Sequence, residues 1–188
     1  MTPFEYVSVL TSIILGLGVT QILTGIADLV HQWEKVKLYW PHLLWVVLVF
    51  VLHIQEWWIT YQLHTIESWR LPTFLFFILV PVSLFILARI LFPFNLQEDV
   101  IDLKVFYYGN FRKFFLWTMI LNVLSMITNV IVDGIGADQL VIAGIFATLG
   151  WVSWHNYKME WLHKVIVISF LVLLIASVIV NWDTWLIR

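Results

Sequence analysis

The chain contains no cysteine. Disulfide exchange, thiol nucleophiles, thiolate metal sites and cysteine-held iron–sulfur clusters are therefore excluded, although a cysteine-free chain suits either side of a membrane. Charge is almost as scarce. Only 12% of the residues are Asp, Glu, Lys or Arg, about half the share of a soluble domain. The net charge is −2 and no basic run occurs, so nothing is present to track nucleic-acid phosphates. A His-Glu-x-x-His zinc motif, a Gly-x-Ser-Gly hydrolase signature and a Gly-rich phosphate loop are missing too. No motif argues for catalysis, and the reading leans away from an enzyme. The opening MTPFEYVSVLTSIILGLG lacks the positive stretch of a signal peptide and carries Glu5 instead. Its apolar run is too long for a signal core and reads as a retained first helix.

What the chain has is apolar length. It is 62% hydrophobic with a mean hydropathy of +0.93, and its apolar residues come in blocks of about twenty, enough to cross ~30 Å of hydrocarbon. The expected fold is all-α: one domain over residues 1–188, a multi-pass bundle of six transmembrane helices. The spans are Tyr6–Leu29, Trp40–Gln62, Leu71–Leu91, Phe114–Val132, Leu140–Tyr157 and Val165–Asn181. The connection Phe92–Lys113 is the long one. Asn95 as a cap, Glu98 three residues on and Gly109 as a stop predict a short interfacial helix there, between the third and fourth spans, with Val100, Leu103 and Tyr107 on one face.

Basic residues set the orientation. Lys35, Lys37, Arg89, Lys104, Arg112, Lys113, Lys158 and Lys164 gather at the first, third and fifth connections, against Arg70 and Arg188 elsewhere. The odd connections are therefore expected in the cytoplasm and both termini outside, in the plasma (inner) membrane of a prokaryote. Tryptophans fall into two belts on this layout, Trp33, Trp40, Trp117, Trp154 and Trp161 inside and Trp57, Trp58, Trp69, Trp182 and Trp185 outside.

The costly residues lie in LLWVVLVFVLHIQEWWITYQLH, Leu43 to His64. At 100° per residue His42, His53, Glu56 and His64 share one stripe, with His53 near mid-membrane and Glu56 one turn further out. A carboxylate at that depth costs ~2.5 kcal/mol or more and normally faces the bundle interior. The His53/Glu56 pair suits a proton relay or cation step, and equally an inert buried hydrogen bond. Asn122 and Asn129 on the fourth span and Gln21 on the first are the auxiliary polar groups, with interhelical packing glue as their other reading. Asp28 and Arg89, at the inner ends of the first and third spans, are expected to form a structural ion pair, the alternative being that Arg89 snorkels to the headgroups.

His42, His155 and His163 are minor metal or haem candidates at the inner edge, where two facing histidines would be needed; no metal site or cofactor is otherwise expected. Small-residue strips at Ser12/Gly16 and at Ala143/Ala147/Gly150 allow close helix contact within the chain or between copies. The leading expectation is a small channel or carrier for protons or cations, with the lipid bilayer, those ions and further copies or a partner membrane protein as its partners and no nucleic acid. A non-catalytic sensor, effector or partner subunit is the alternative, and a haem-binding or other membrane enzyme a lesser one. The orientation has a direct check. Gly134→Cys should react with an impermeant maleimide added to intact cells, and labelling only after lysis would invert the map.

Overall fold

A computed structural model of the chain describes residues 2–66, 68–94, 100–132, 138–180 and 182. Seven helices carry the fold among the described residues: α1 (Pro3–His31), α2 (Trp40–Thr60), α3 (Leu71–Phe77), α4 (Leu79–Ile90), α5 (Leu103–Val132), α6 (Asp138–Trp154) and α7 (Glu160–Val180). Five helical stretches are long and apolar enough to cross a membrane, α3 and α4 together counting as the stretch Leu71–Ile90. α6, at 17 residues, is a shorter apolar helix.

Local chemistry explains the ends and the interruptions. α1 starts at a reciprocal cap: the Glu5 amide donates to Thr2 Oγ1 at 3.1 Å, and the Thr2 amide donates to Glu5 Oε2 at 2.8 Å. Pro41 and Pro72 occupy first-turn positions, where a missing N–H costs nothing. Pro81 does cost something. It has no N–H for the Phe77 carbonyl four residues back, and the third span breaks into α3 and α4 beside that carbonyl, at Ile78.

The interfacial helix expected between the third and fourth spans is not a separate element among the described residues. Leu103–Lys113 form the first turns of α5, a continuous helix of 30 residues. Gly109 does not end it, because an interior glycine costs only about 1 kcal/mol relative to alanine, and Asp102 Oδ1 starts the helix by accepting from the amides of Lys104 (2.9 Å) and Val105 (3.1 Å). Asn95 and Glu98 lie outside the described residues. Val100 precedes the helix, and Tyr107 is buried rather than laid on a surface.

The first and third connections meet. Val36–Lys37 (β1) and Ile101–Asp102 (β2) form a two-residue parallel bridge, Val36 opposite Ile101 and Lys37 opposite Asp102. The third also reaches the start of α7, where Lys104 Nζ lies 2.5 Å from Glu160 Oε2, and Lys164 Nζ lies 2.8 Å from Glu160 Oε1. These contacts gather the lysine-bearing ends of the helices on one side.

α1 packs on α4 and α2, α5 on α4 and α6, and α2 also on α7. The core is concentrated toward the lysine-rich end. The last buried residue of α5 is Leu121 and that of α7 is Val167, while in α6 only Leu149 and Val152 are buried. Trp45 anchors this core, its ring 5.0 Å from Phe114, 6.1 Å from Phe115 and 4.8 Å from Phe170. Trp33, Trp40, Trp154 and Trp161 are exposed at this end and Trp57 and Trp182 toward the other; Trp185 lies outside the described residues.

The buried edge of α1 is Leu15, Gly18, Ile22, Gly25 and Leu29, a three-four spacing with glycine at every second place. A Cβ on Gly25 would lie 2.4 Å from the Phe92 ring, and one on Gly18 would lie 2.3 Å from His53 Nε2. The strip expected at Ser12/Gly16 faces away from the chain: both residues are exposed, and nothing lies within 4 Å of a Cβ built on Gly16. Ala143 and Ala147 are likewise exposed, and a Cβ built on Gly150 would lie 3.3 Å from the Met119 side chain. Gly25→Ala should therefore destabilise the protein by about 1–3 kcal/mol, the usual cost of overpacking, and lower its melting temperature in detergent. Gly16→Ala, which meets nothing, should not lower that temperature and should raise it by up to the helix preference of alanine, about 1 kcal/mol.

Candidate functional site

Three histidines are fully enclosed, His42, His53 and His163, and each is aimed by a backbone carbonyl. His42 Nε2 lies 2.7 Å from the Leu91 carbonyl, His53 Nδ1 lies 2.7 Å from the Val49 carbonyl, and His163 Nε2 lies 2.8 Å from the Tyr157 carbonyl. A carbonyl only accepts, so the nitrogen facing it carries the hydrogen, and the other nitrogen of a neutral ring holds a lone pair.

Those lone pairs have different fates. On His163 the lone pair at Nδ1 accepts from the Tyr107 hydroxyl at 2.9 Å, inside a ring of Tyr107, Tyr108, Phe111 and Phe115 whose centroids lie 4.9 to 5.8 Å away. The cluster extends through Tyr108, whose hydroxyl is 3.2 Å from that of Tyr39. Burial, then this bond, pushes the Tyr39 phenol up, so it stays an O–H group. On His42 and His53 the second nitrogen, Nδ1 and Nε2 respectively, is buried without a hydrogen-bond partner.

The carbonyls also differ. Leu91 caps the end of α4 and Tyr157 lies in the turn before α7, positions where carbonyls lack a helical partner. His42 and His163 therefore complete the backbone. Val49 is interior to α2 and its carbonyl already serves the helix, so His53 is not needed there. Its Nε2 is pressed against Gly18 of α1, at the crossing of the two helices.

Glu56 is half-buried one turn further along α2 and forms no ion pair among the described residues. His53 and Glu56 share a face but no hydrogen bond, because the bond to Val49 turns the imidazole back toward the helix start. His64 leaves the expected stripe. α2 ends at Thr60, and in the 3-10 turn Tyr61–Thr65 His64 is exposed, with Nδ1 2.6 Å from the Tyr61 carbonyl and its ring stacked on Tyr61.

The auxiliary groups divide. Asn122 turns its amide to its own helix, donating to the Thr118 carbonyl at 2.7 Å, and Asn129 sits half-buried two turns further along α5. Gln21, by contrast, lines a cavity of about 20 Å³ with Gly25, Asp28, Leu29, Arg89, Phe92 and Pro93, room for about one water molecule. Asp28 and Arg89 thus face a common space without an ion pair within 4 Å, and the Arg89 guanidinium lies over the Phe94 ring, 5.1 Å from its centroid. The ring offers that cation a face and leaves the carboxylate, which is exposed, to solvent.

The inner histidines do not assemble as ligands. His163 has committed both nitrogens, and His155 is exposed between Trp151 and Tyr157, with Nδ1 on the Trp151 carbonyl at 3.1 Å. Among the described residues no group of three or more His, Asp or Glu is placed to hold a metal ion.

The Gly18 seat, the water-sized cavity and the His163–Tyr107 cluster went unread in the sequence. Only the first left a signal there, the alternation of large residues and glycine from Leu15 to Leu29. The all-helical fold, with five stretches long and apolar enough to cross a membrane, is consistent with a multi-pass integral membrane protein. Compared with family models, curated proteins and solved structures, the chain matches none. The histidine geometry makes a spectroscopic prediction: nitrogen NMR of the labelled protein should find the hydrogen of His53 on Nδ1 and those of His42 and His163 on Nε2. The opposite tautomer at His53 would remove its bond to Val49.

Proposed function

We propose that this protein carries protons across the plasma membrane of a prokaryote, as a six-span bundle with its lysine-rich end in the cytoplasm and both termini outside, working singly or as a homo-oligomer. The observation that carries the reading is the unpartnered, fully buried Nε2 of His53 at the α1–α2 crossing. A buried lone pair without a partner is expensive, and no helix end requires this one. On the inner side, Gln21 lies one turn of α1 from Gly18, about 4.5 Å along the axis, and opens onto the cavity shared with Asp28 and Arg89. On the outer side stands Glu56, also about 4.5 Å along its helix.

In the proposed step, a proton enters by water in the Gln21 cavity and is taken up on His53 Nε2. The ring keeps its Nδ1 hydrogen on Val49 while charged. When α1 and α2 part, water admitted beside Nε2 carries the proton on to the Glu56 carboxylate, and Glu56 releases it outward. Asn122 and Asn129 on α5 are polar supports on the outer half of the path. A proton is favoured over a metal cation because the described cavities are water-sized and a lone imidazole nitrogen is a proton acceptor first.

A second reading, a non-conducting sensor or partner subunit, is favoured by the dense aromatic packing around His163 and Trp45 at the lysine-rich end. Flux separates the two. Proteoliposomes with an internal pH dye should acidify under an imposed potential, and His53→Gln and Glu56→Gln should each slow this by about a hundredfold, the usual scale for loss of a proton-transfer group. Wild-type flux matched by both variants would remove these residues from the path, and no wild-type flux would select the second reading.

A further inference from the structure

α5 presents one face that no other helix covers among the described residues. Along it run Val105, Gly109, Arg112, Lys113, Leu116, Ile120, Val123 and Ile127, all exposed. The order matters. At the lysine-rich end, Gly109 leaves a bare patch, with nothing within 4 Å of a Cβ built there. One turn later come Arg112 and Lys113. Side chains on a helix lean toward its start, so both cations reach back over the turn that Gly109 leaves open. Beyond them the face turns wholly apolar.

Among the described residues, nothing neutralises the two cations. Lys104 and Lys164 are paired with Glu160, whereas Arg112 and Lys113 have no carboxylate within 4 Å among the described residues. The contact of Lys113 is its Nζ on Asn110 Oδ1, at 3.4 Å.

Depth fixes what fits. Lys113 lies nineteen residues before the end of α5 at Val132, about 29 Å along the axis, which is the thickness of the hydrocarbon layer. With that end at one interface, Arg112 and Lys113 stand at the headgroup level of the other. The apolar run Leu116–Ile127 covers about 17 Å, close to one leaflet.

We infer that this face of α5 holds an anionic phospholipid, its phosphate seated over Gly109 between Arg112 and Lys113 and its acyl chains along Leu116, Ile120, Val123 and Ile127. Charge complementarity selects an anionic over a zwitterionic headgroup, and the apolar run of one leaflet's length selects a lipid over free phosphate. The site is independent of His53.

The test is native mass spectrometry of the full chain released from detergent containing equal phosphatidylglycerol and phosphatidylcholine. Wild type should retain phosphatidylglycerol preferentially. Arg112→Gln with Lys113→Gln should lower that retention about twenty-five-fold, roughly fivefold for each cation at a membrane surface. Lys35→Gln with Lys37→Gln removes the same charge elsewhere and should leave retention unchanged. Gly109→Leu, which keeps every charge and fills an exposed recess, should also reduce it and carries the test if the double variant fails to fold. Equal retention of the two lipids by wild type, retention undiminished in the Arg112/Lys113 and Gly109 variants, or an equal loss in the Lys35/Lys37 variant would overturn the site.

Discussion

Everything else in the fold rests on how closely two rings approach the backbone of α1. Lipid tails are as apolar as leucine, so helices in a bilayer gain little by hiding apolar surface from them and much by close contact with each other. Gly18 and Gly25 make that contact possible. His53 from α2 fills the space above one and Phe92, just past α4, fills the space above the other, each where a Cβ would stand. Leu15, Ile22 and Leu29 pack between and beside them. The remaining helices are attached to this unit, α5 through α4, α6 through α5 and α7 through α2.

A second constraint is that polar atoms inside a membrane protein must find partners within the protein. The chain meets it with unusual use of histidine. His42 supplies the hydrogen that the end of α4 lacks, and His163 does the same for the turn before α7 while accepting from Tyr107. These three bonds tie α2 to the end of α4, α7 to the turn before it, and α5 to α7, at the lysine-rich end, where Glu160 joins Lys104 and Lys164 as well. The aromatic rings packed around them exclude water, which strengthens each bond. The resulting bundle is tightest at that end and loosens beyond Leu121 and Val167.

The long apolar helices and their approximate spans were legible because hydrophobic length is a local property, whereas the third span was drawn unbroken and the interruption beside Pro81 came only with the structure. Contacts were less legible. Ser12/Gly16 and Ala143/Ala147/Gly150 read as smooth helix surface, yet of these only Gly150 has a neighbour, and the close contacts fall at Gly18 and Gly25, which went unread, since periodicity identifies a face and not what stands opposite. Tyr107 was placed on an interfacial surface because Gly109 looked like a stop. With α5 running through Gly109, the same residue turns inward beneath His163. The His42–His53–Glu56 stripe was half legible. Helical angle put its members on one face, but α2 ends before His64, and the hydrogen bond that turns His53 from Glu56 toward α1 depends on a rotamer that spacing does not encode.

The comparison among the three buried histidines then bears on function. Two of them answer a backbone need, and replacing either leaves a carbonyl at a helix end without a donor. His53 answers none, since the helix already satisfies Val49, yet it fills the space above Gly18 at the α1–α2 crossing and leaves Nε2 bare there. An alanine or leucine at that place would pack against a neighbour at lower polar cost. If the bare nitrogen serves proton movement, as proposed, the contact with Gly18 becomes the gate as well as the fastener. Water reaches Nε2 only when α1 and α2 part, so each change that tightens this crossing raises stability and slows exchange, and each change that loosens it does the reverse.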